Sequence, residues 1–322
     1  MKGLSLKYDL KLGYFLMSVF AVEETLSVSD SHDAHRLDSF AVYANKALVE
    51  SPQLQVALLH GGGHSAYSWA LVVSRLAKAL PDSRLVSFDF RAHGNTLCTD
   101  EKDLSADRLV EDCINVLERF CGSQPIVLVG HSLGGAIAVR TAASKRLEHV
   151  VGLVVLDLVE GSAMAALPLM PMFLNARPES FASPEEAIRW SLRSGIIKNR
   201  ESAAFSVPRQ LKRTETGWTW RTDLLASEPF WEGWYRGLSK TFLSVSASKM
   251  LIVAGTDRMD TELTVAQMQG KFRFVLLPDS VGHLVQEDCP DRVAEELSEF
   301  IIRNKFVESW KLNEKLRKLK KS

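Results

Sequence analysis

The stretch Gly130-His131-Ser132-Leu133-Gly134 decides the fold of this chain. It follows an apolar run at residues 125–129 and precedes a segment of small and apolar residues at 135–139. An apolar strand, a Gly-x-Ser-x-Gly turn and a helix rich in small residues form a nucleophile elbow, which holds the serine hydroxyl at a helix N-terminus. Glycine tolerates the backbone angles beside such a turn and lets the strand and the helix approach closely. The pattern therefore predicts that Ser132 is an accessible nucleophile.

Charge and cysteine content exclude several classes of protein. The 322 residues include 39 basic and 39 acidic side chains, so the formal net charge is zero. This balance argues against nucleic acid or a charged membrane surface as the main partner, and no apolar run is long enough to cross a bilayer. The four cysteines lack metal-binding spacing, which indicates free thiols in a reducing compartment. We expect a cytoplasmic location and leave an additional nuclear one open.

Apolar runs alternate with helical patterns along the chain. After a predicted first hairpin at residues 19–22 and 39–43, six strands are expected at 54–59, 84–88, 125–129, 151–156, 249–254 and 272–277. Most are continuous Val, Leu and Ile runs, typical of strands buried on both faces of a mainly parallel sheet. Helices are expected at 66–80, 106–120 with Ser105 as N-cap, and 290–303. The sequence predicts an α/β-hydrolase fold, with a mostly parallel, doubly wound sheet.

One long segment interrupts this alternation and predicts a helical cap inserted into the sheet domain. Residues 161–246 contain several prolines and most of the tryptophans. We therefore divide the chain into a first part of the hydrolase core (14–160), the cap insertion (161–246), a second part of the core (247–306) and a basic tail (307–322). For the tail we expect a frayed, solvated end, with one helix face as the alternative.

A serine hydroxyl needs a neighbouring base, and His283 is the best-placed histidine. It falls in a short segment after the last predicted strand and before the last helix, as the chain order Ser, Asp, His of this fold requires. Histidine suits the role because it titrates near neutral pH. His131 is adjacent to Ser132 in sequence but is expected to point away from the opening of the elbow, whereas His60 and His93 are expected to brace backbone.

Two aspartates compete for the role of holding the imidazole. Asp257 follows the penultimate strand, which is the usual position in this fold. Asp157 follows the strand after the elbow helix, and the ends of these two strands are neighbours in the sheet. Topology alone favours Asp257 modestly and leaves both open.

The oxyanion formed during ester hydrolysis needs preorganised N–H donors, each worth roughly 2.7–4 kcal/mol in the transition state. The amide of Leu133, just after the nucleophile, is one candidate. The second is expected from the glycine run after the strand at 54–59, with Gly62 as the first choice and Gly63 as the second. This chemistry requires no metal and no organic cofactor.

Five segments, at 58–66, 130–139, 159–164, 231–239 and 267–272, resemble the protein phosphatase methylesterase family. The similarity runs in order from about residue 14 to residue 306. Residues 231–239, Trp-Glu-Gly-Trp-Tyr-Arg-Gly-Leu-Ser, and residues 267–272 are not generic hydrolase features, so the resemblance is specific. It implies hydrolysis of the methyl ester on the C-terminal leucine of the protein phosphatase 2A catalytic subunit.

The resemblance also implies roles for individual residues. The family's acid lies in the segment that matches residues 156–161, which selects Asp157 over Asp257. Family members hold an unproductive triad until the phosphatase docks. Candidates for contacts with substrate or partner are Glu160, Trp220, Arg236 and Arg303.

Two departures from the family pattern concern partner contacts. Mammalian members carry a long acidic, polar insertion in the cap, whereas residues 209–217 are short here, and the basic tail has no counterpart that we can align. Two other functions remain open: a small-molecule carboxylesterase or lipase on the same scaffold, and a phosphatase-sequestering protein whose catalysis is secondary.

Overall fold

The computed structural model describes residues 20–29, 37–46, 52–122, 124–255, 259–278 and 280–321. Its main element is an eight-stranded sheet in the order β1-β2-β4-β3-β5-β6-β10-β11. The strands β1 and β2 pair antiparallel, as do β2 and β4, and the remaining neighbours are parallel. These strands are β1 (Val22–Ser29), β2 (Leu37–Ala44), β3 (Leu54–Leu59), β4 (Ser83–Phe88), β5 (Ile126–His131), β6 (Val150–Leu156), β10 (Ser248–Ala254) and β11 (Arg273–Leu277).

Helices cover both faces of this sheet, as expected for parallel strands that are apolar along their whole length. Two large apolar clusters, one on each face, bury the central strands. The helices of this layer are α1 (Ala70–Ala79), α2 (Ala106–Cys121), α3 (Leu133–Ser144), α10 (Thr261–Met268), α11 (Val285–Asp288), α12 (Pro290–Asn304) and α13 (Phe306–Lys321). The Ser105 hydroxyl accepts a hydrogen bond from the Arg108 amide, so the predicted N-cap of α2 is confirmed. The doubly wound, mostly parallel sheet confirms the predicted fold class.

Between β6 and β10 the chain leaves the sheet for some ninety residues, all of which the structure describes. This segment, residues 157–247, is called the insertion below. Its helices are α4 (Glu160–Ala166), α5 (Met170–Asn175), α6 (Pro184–Arg193), α7 (Arg200–Ser206), α8 (Glu228–Tyr235) and α9 (Leu238–Ser244), and its three-stranded sheet has the order β7-β9-β8, with β7 (Ser180–Phe181), β8 (Leu211–Thr214) and β9 (Gly217–Trp220). The division of the chain into domains remains a prediction.

One local prediction is wrong, and for the tail the alternative prediction is confirmed. The first strand does not end at Val22 but begins there, because the alternation of Val22, Leu26 and Val28 with polar residues suits an edge strand better than the apolar run before it. The tail is helical from Phe306, which confirms the helix that was the alternative to a frayed end. The buried Phe306 ring packs against Phe300, so the start of α13 is anchored.

All four cysteines are free. In the portion of the chain that the structure describes, no helix combines the length and the apolar character needed to cross a membrane.

Candidate active site

Ser132 occupies a strained turn between β5 and α3. Its φ of 52° and ψ of −122° lie in a backbone region that residues other than glycine rarely adopt. The flanking glycines make the turn possible, since a Cβ on Gly130 would lie 2.2 Å from the Gly134 carbonyl oxygen and one on Gly134 would lie 2.3 Å from that of Leu59. The turn places Ser132 at the start of α3, where it is partly open to solvent, as the motif predicts.

The imidazole of His283 is paired with Asp157. Its Nδ1–H donates to Asp157 Oδ2 at 2.7 Å. The carboxylate is itself fixed, because its Oδ1 accepts a hydrogen bond of 2.9 Å from the Ala254 amide and the residue is only 3 % exposed. The His283 side chain is 51 % exposed. The pair therefore presents the other imidazole nitrogen, Nε2, as a potential proton acceptor.

Of the two aspartates that the sequence left open, the structure brings Asp157 to His283. Asp257 lies outside the described residues. The nearby Asp260 has a different function, since its carboxylate accepts from the Ser239 hydroxyl and from the Leu263 amide at the start of α10.

The Ser132 hydroxyl faces the insertion. Its neighbour is the phenol of Tyr235 at the end of α8, whose pKa is raised to about 12 by burial, partly offset by the Ser132 hydroxyl. Among the residues that the structure describes, no hydrogen bond of 3.5 Å or less joins Ser132 Oγ to the His283 imidazole. Ser132 and His283 therefore lie at the same edge of the sheet, without a direct hydrogen bond between Ser132 Oγ and the His283 imidazole in the described structure.

The oxyanion candidates differ in whether their amides are free. The Gly63 N–H donates to His93 Nε2 at 2.8 Å. The amides of Gly62 and Leu133 have no acceptor in the described part of the chain. This difference favours Gly62, the first choice from sequence, over Gly63.

His60 and His93 brace the loops after β3 and β4, as predicted. The Nδ1–H of His60 donates to the Gly61 carbonyl and its Nε2 accepts from the Phe90 amide at 3.0 Å. The Nδ1–H of His93 donates to the Arg91 carbonyl. Burial lowers the pKa of His93 to about 4 and that of His60 well below its usual value, so both rings are neutral at pH 7.

The four candidate substrate or partner residues lie in different places. The Glu160 carboxylate accepts hydrogen bonds from the amides of Gly237 and Ser239 at 2.6 and 2.9 Å, which holds the N-terminus of α9. Arg236 is exposed and pairs with Glu232. The Trp220 indole donates to the Pro178 carbonyl, and the Arg177 guanidinium stacks 3.7 Å from the centre of its ring.

Arg303 is remote from these residues. It lies in the last turn of α12, which begins just after the His283 segment and runs about 20 Å along its axis. Phe306, which follows, packs near Gly152 at the beginning of β6. Arg303 is therefore near the edge of the sheet opposite to that carrying Ser132 and Asp157.

Sequence reasoning missed two side chains at this edge. Tyr235 lies inside the family-like segment 231–239 and could have been noted there. Leu224 of the insertion reaches the glycine loop, where its Cδ2 is 3.6 Å from the position of a Cβ on Gly62, and no sequence signal identifies it. Within the described ranges, no group of three or more His, Cys, Asp or Glu side chains has metal-binding geometry.

The chain is similar to one family model and to several named proteins. The model of the Alpha/beta hydrolase family matches residues 56–296. Protein phosphatase methylesterase 1 of Bos taurus is 42 % identical over 84 % of this chain and 82 % of its own length, and the Homo sapiens protein of the same name is 42 % identical over 84 % and 80 %. A probable protein phosphatase methylesterase 1 of Caenorhabditis elegans is 46 % identical over 78 % and 70 %.

Solved structures with low sequence identity share the fold. An E-2-(acetamidomethylene)succinate hydrolase superposes with a TM-score of 0.70 at 18 % identity, covering 87 % of this chain and 99 % of its own. An esterase of Mycobacterium tuberculosis superposes with a TM-score of 0.65 at 23 % identity, covering 87 % and 92 %.

Proposed function

The chain belongs to the protein phosphatase methylesterase family of the α/β hydrolases and is a serine ester hydrolase, and from this premise we propose that it demethylates the C-terminal leucine of the protein phosphatase 2A catalytic subunit. Ser132 is the proposed nucleophile, His283 the general base and Asp157 the acid that orients it. The products are methanol and a free carboxylate.

In the first half-reaction, Ser132 Oγ attacks the carbonyl carbon of the leucyl methyl ester while its proton passes to His283 Nε2. The Gly62 and Leu133 amides donate to the oxyanion of the tetrahedral intermediate. As the intermediate collapses, the bond to the methoxy oxygen breaks, and that oxygen takes the proton from His283 and leaves as methanol. An ester between Ser132 and the leucyl carbonyl remains.

In the second half-reaction, a water molecule gives a proton to His283 and attacks the same carbonyl carbon. The second intermediate expels Ser132 Oγ, which recovers its proton from His283, and the peptide leaves with a free carboxyl group. Asp157 stabilises the imidazolium in both halves and keeps the Nδ1–H tautomer.

Docking of the phosphatase is proposed to complete the relay by turning the Ser132 hydroxyl from Tyr235 towards His283. The insertion is connected to the segment that carries the base, since the Lys198 amide donates to Asp288 and the Lys198 ammonium donates to the Ser280 carbonyl. A partner that shifts the insertion can therefore act on both the nucleophile and the base.

The hydrogen bond of 2.7 Å between His283 and Asp157, at the sheet edge that also carries the elbow, is the observation that supports this proposal most strongly. The test is methanol release from the purified, methylated phosphatase subunit. We expect turnover by the wild type, loss of turnover in Ser132→Ala and retention in Ser144→Ala, a matched change at the far end of α3.

Two further measurements distinguish this proposal from a small-molecule esterase and from a phosphatase-sequestering protein. Equal turnover of short acyl esters and of the methylated phosphatase would favour a small-molecule esterase. Inhibition of the phosphatase by Ser132→Ala, with little methanol released by the wild type, would favour sequestration as the chief role.

A further inference from the structure

His131, the residue before the proposed nucleophile, has a side chain that the mechanism above does not use. It is the last residue of β5, and its imidazole is fully buried beneath the site. Its Nε2 lies 2.9 Å from the backbone carbonyl oxygen of His283. Because a carbonyl oxygen can only accept, Nε2 carries the proton and donates it. His131 is therefore connected directly to the segment that bears the proposed base.

The same ring also packs against the glycine loop after β3. A Cβ on Gly61 would lie 2.8 Å from His131 Nδ1 and 3.2 Å from its Cε1, so the absence of a side chain at Gly61 makes room for the imidazole. Gly61 precedes Gly62, the proposed oxyanion donor. One side chain thus lies between the loop that holds the oxyanion donor and the segment that holds the base.

The ring is held in its neutral form. Nδ1 has no hydrogen-bond partner in the described structure, and burial, together with the neighbouring His283 and His64 rings, lowers the pKa of His131 well below its usual value. The His131 and His283 rings are 4.8 Å apart, so a positive charge on His131 would oppose protonation of His283. A neutral His131 can donate its hydrogen bond to the His283 carbonyl without this charge repulsion.

We propose that His131 is a positioning residue, whose neutral imidazole fixes the His283 backbone, and through it the base, relative to the elbow and the oxyanion loop. This inference rests on the proposed role of His283 but not on the identity of the ester. A displacement of about 1 Å of a reacting group can cost on the order of 100-fold in rate, so a single hydrogen bond to this backbone is enough to matter.

The test compares two substitutions of His131 whose side chains are of similar size, only one of which has a hydrogen-bond donor. His131→Gln places an amide N–H near the position of Nε2, whereas His131→Met offers none. We expect His131→Met to lower kcat by about 10- to 100-fold with KM within twofold of the wild type, and His131→Gln to recover most of that loss. Equal losses in both variants, or a loss in KM alone, would overturn the inference.

A second measurement separates this inference from the proposed substrate. Ser132 should react with a fluorophosphonate probe, which reports activation of the nucleophile without any phosphatase. Slow labelling in His131→Met with near-normal labelling in His131→Gln supports the positioning role even if methylated phosphatase is not a substrate. Normal labelling in His131→Met contradicts the role, whether or not methanol is released.

Two further experiments test the inference if His131→Met does not fold. Gly61→Ala should slow labelling by pressing on the His131 ring, whereas Gly233→Ala, where a Cβ meets nothing within 4 Å, should not. In the wild type, two-bond proton–nitrogen correlations should show His131 as the Nε2–H tautomer, opposite to His60 and His93. An Nδ1–H tautomer at His131, or equal labelling by the two glycine variants, would overturn the inference.

Discussion

At Ser132 the backbone is held at a positive φ by packing on both sides of the turn. Such conformations cost on the order of 1–3 kcal/mol for a residue other than glycine and persist where the surroundings fix them. The Ser132 amide donates to the Leu156 carbonyl at 3.1 Å, which connects the elbow to the strand before Asp157. Because the strain is local, the motif around Ser132 was enough to predict it from sequence.

Tyr235→Phe should make Ser132 more reactive in the free protein. The Ser132 hydroxyl lies beside the Tyr235 phenol, and removing that partner leaves the hydroxyl free to turn towards His283. One net hydrogen bond is worth about 0.5–1.5 kcal/mol, so fluorophosphonate labelling should accelerate about 2- to 10-fold. The second-order rate constant of labelling measures the effect.

Tyr67→Phe serves as the control for Tyr235→Phe. It also removes the hydroxyl of a buried tyrosine, but one whose ring packs against Phe20 and Tyr43. Labelling should therefore be unchanged. Slower labelling in Tyr235→Phe would mean that the phenol assists Ser132 instead of diverting it.

At the level of elements, the strands of the central sheet could be predicted because burial on both faces makes each one a continuous apolar run. The strand β3 has the predicted bounds, and β6 and β10 begin one residue earlier than predicted. The first strand was placed too early in the sequence, because an edge strand alternates polar and apolar residues and gives no continuous apolar run. The hairpin of β8 and β9 was not predicted, because each strand has just four residues.

We expect Glu160 to contribute mainly to the stability of the insertion and little to the binding of a partner. Its carboxylate accepts from two amides at the start of α9, and loss of such a cap costs about 0.5–2 kcal/mol. Glu160→Ala should therefore lower the free energy of unfolding by that amount, as measured by urea denaturation. KM for the methylated phosphatase should change by less than twofold.

The matched variant is Glu232→Ala, which removes an exposed carboxylate that pairs with the exposed Arg236. Exposed pairs contribute little, so its stability should change by less than about 0.5 kcal/mol. A large rise in KM for Glu160→Ala with unchanged stability would restore the partner-binding role predicted from sequence.

At the scale of the whole molecule, the site depends on residues that are distant in sequence. Ser132, Asp157 and His283 lie after β5, β6 and β11, and the sheet brings these strand ends to one edge. The sequence order predicted that edge, but topology alone did not separate Asp157 from Asp257. Tyr235 could have been noted from its family-like segment, but the contacts of Leu224 and of the His131 imidazole could not be predicted, because they depend on how the insertion and loops pack in three dimensions.

Stability should fall in mild acid. In His60, His93 and His131 burial lowers the pKa below that of the unfolded chain, so the unfolded state binds more protons. Their contribution is complete above about pH 6.5 and decreases as the pH falls below that value, in the case of His93 towards its folded pKa of about 4. Asp89 acts in the opposite direction, since burial raises its pKa to about 6 and its protonation in acid favours the folded state.

Because the three histidines act in one direction and Asp89 offsets only part of their effect, we expect the protein to be less stable at pH 5.5 than at pH 7.5. Urea denaturation at the two pH values measures it. His93→Gln should remove about 1.4 kcal/mol of the difference, equal to one pKa unit. An unchanged pH dependence of stability in His93→Gln would show that the fold does not hold His93 neutral.

The central claim is that Ser132, His283 and Asp157 act as one unit, and the most direct test is the kcat for methyl ester hydrolysis of His283→Ala, Asp157→Asn and the double variant. Each single change should cost at least about 10³-fold, and the double variant should be no slower than the slower single one, because groups that act together are strongly non-additive. Asp257→Asn should retain turnover. Losses that multiply in the double variant, or an Asp257→Asn loss as large as that of Asp157→Asn, would contradict the account.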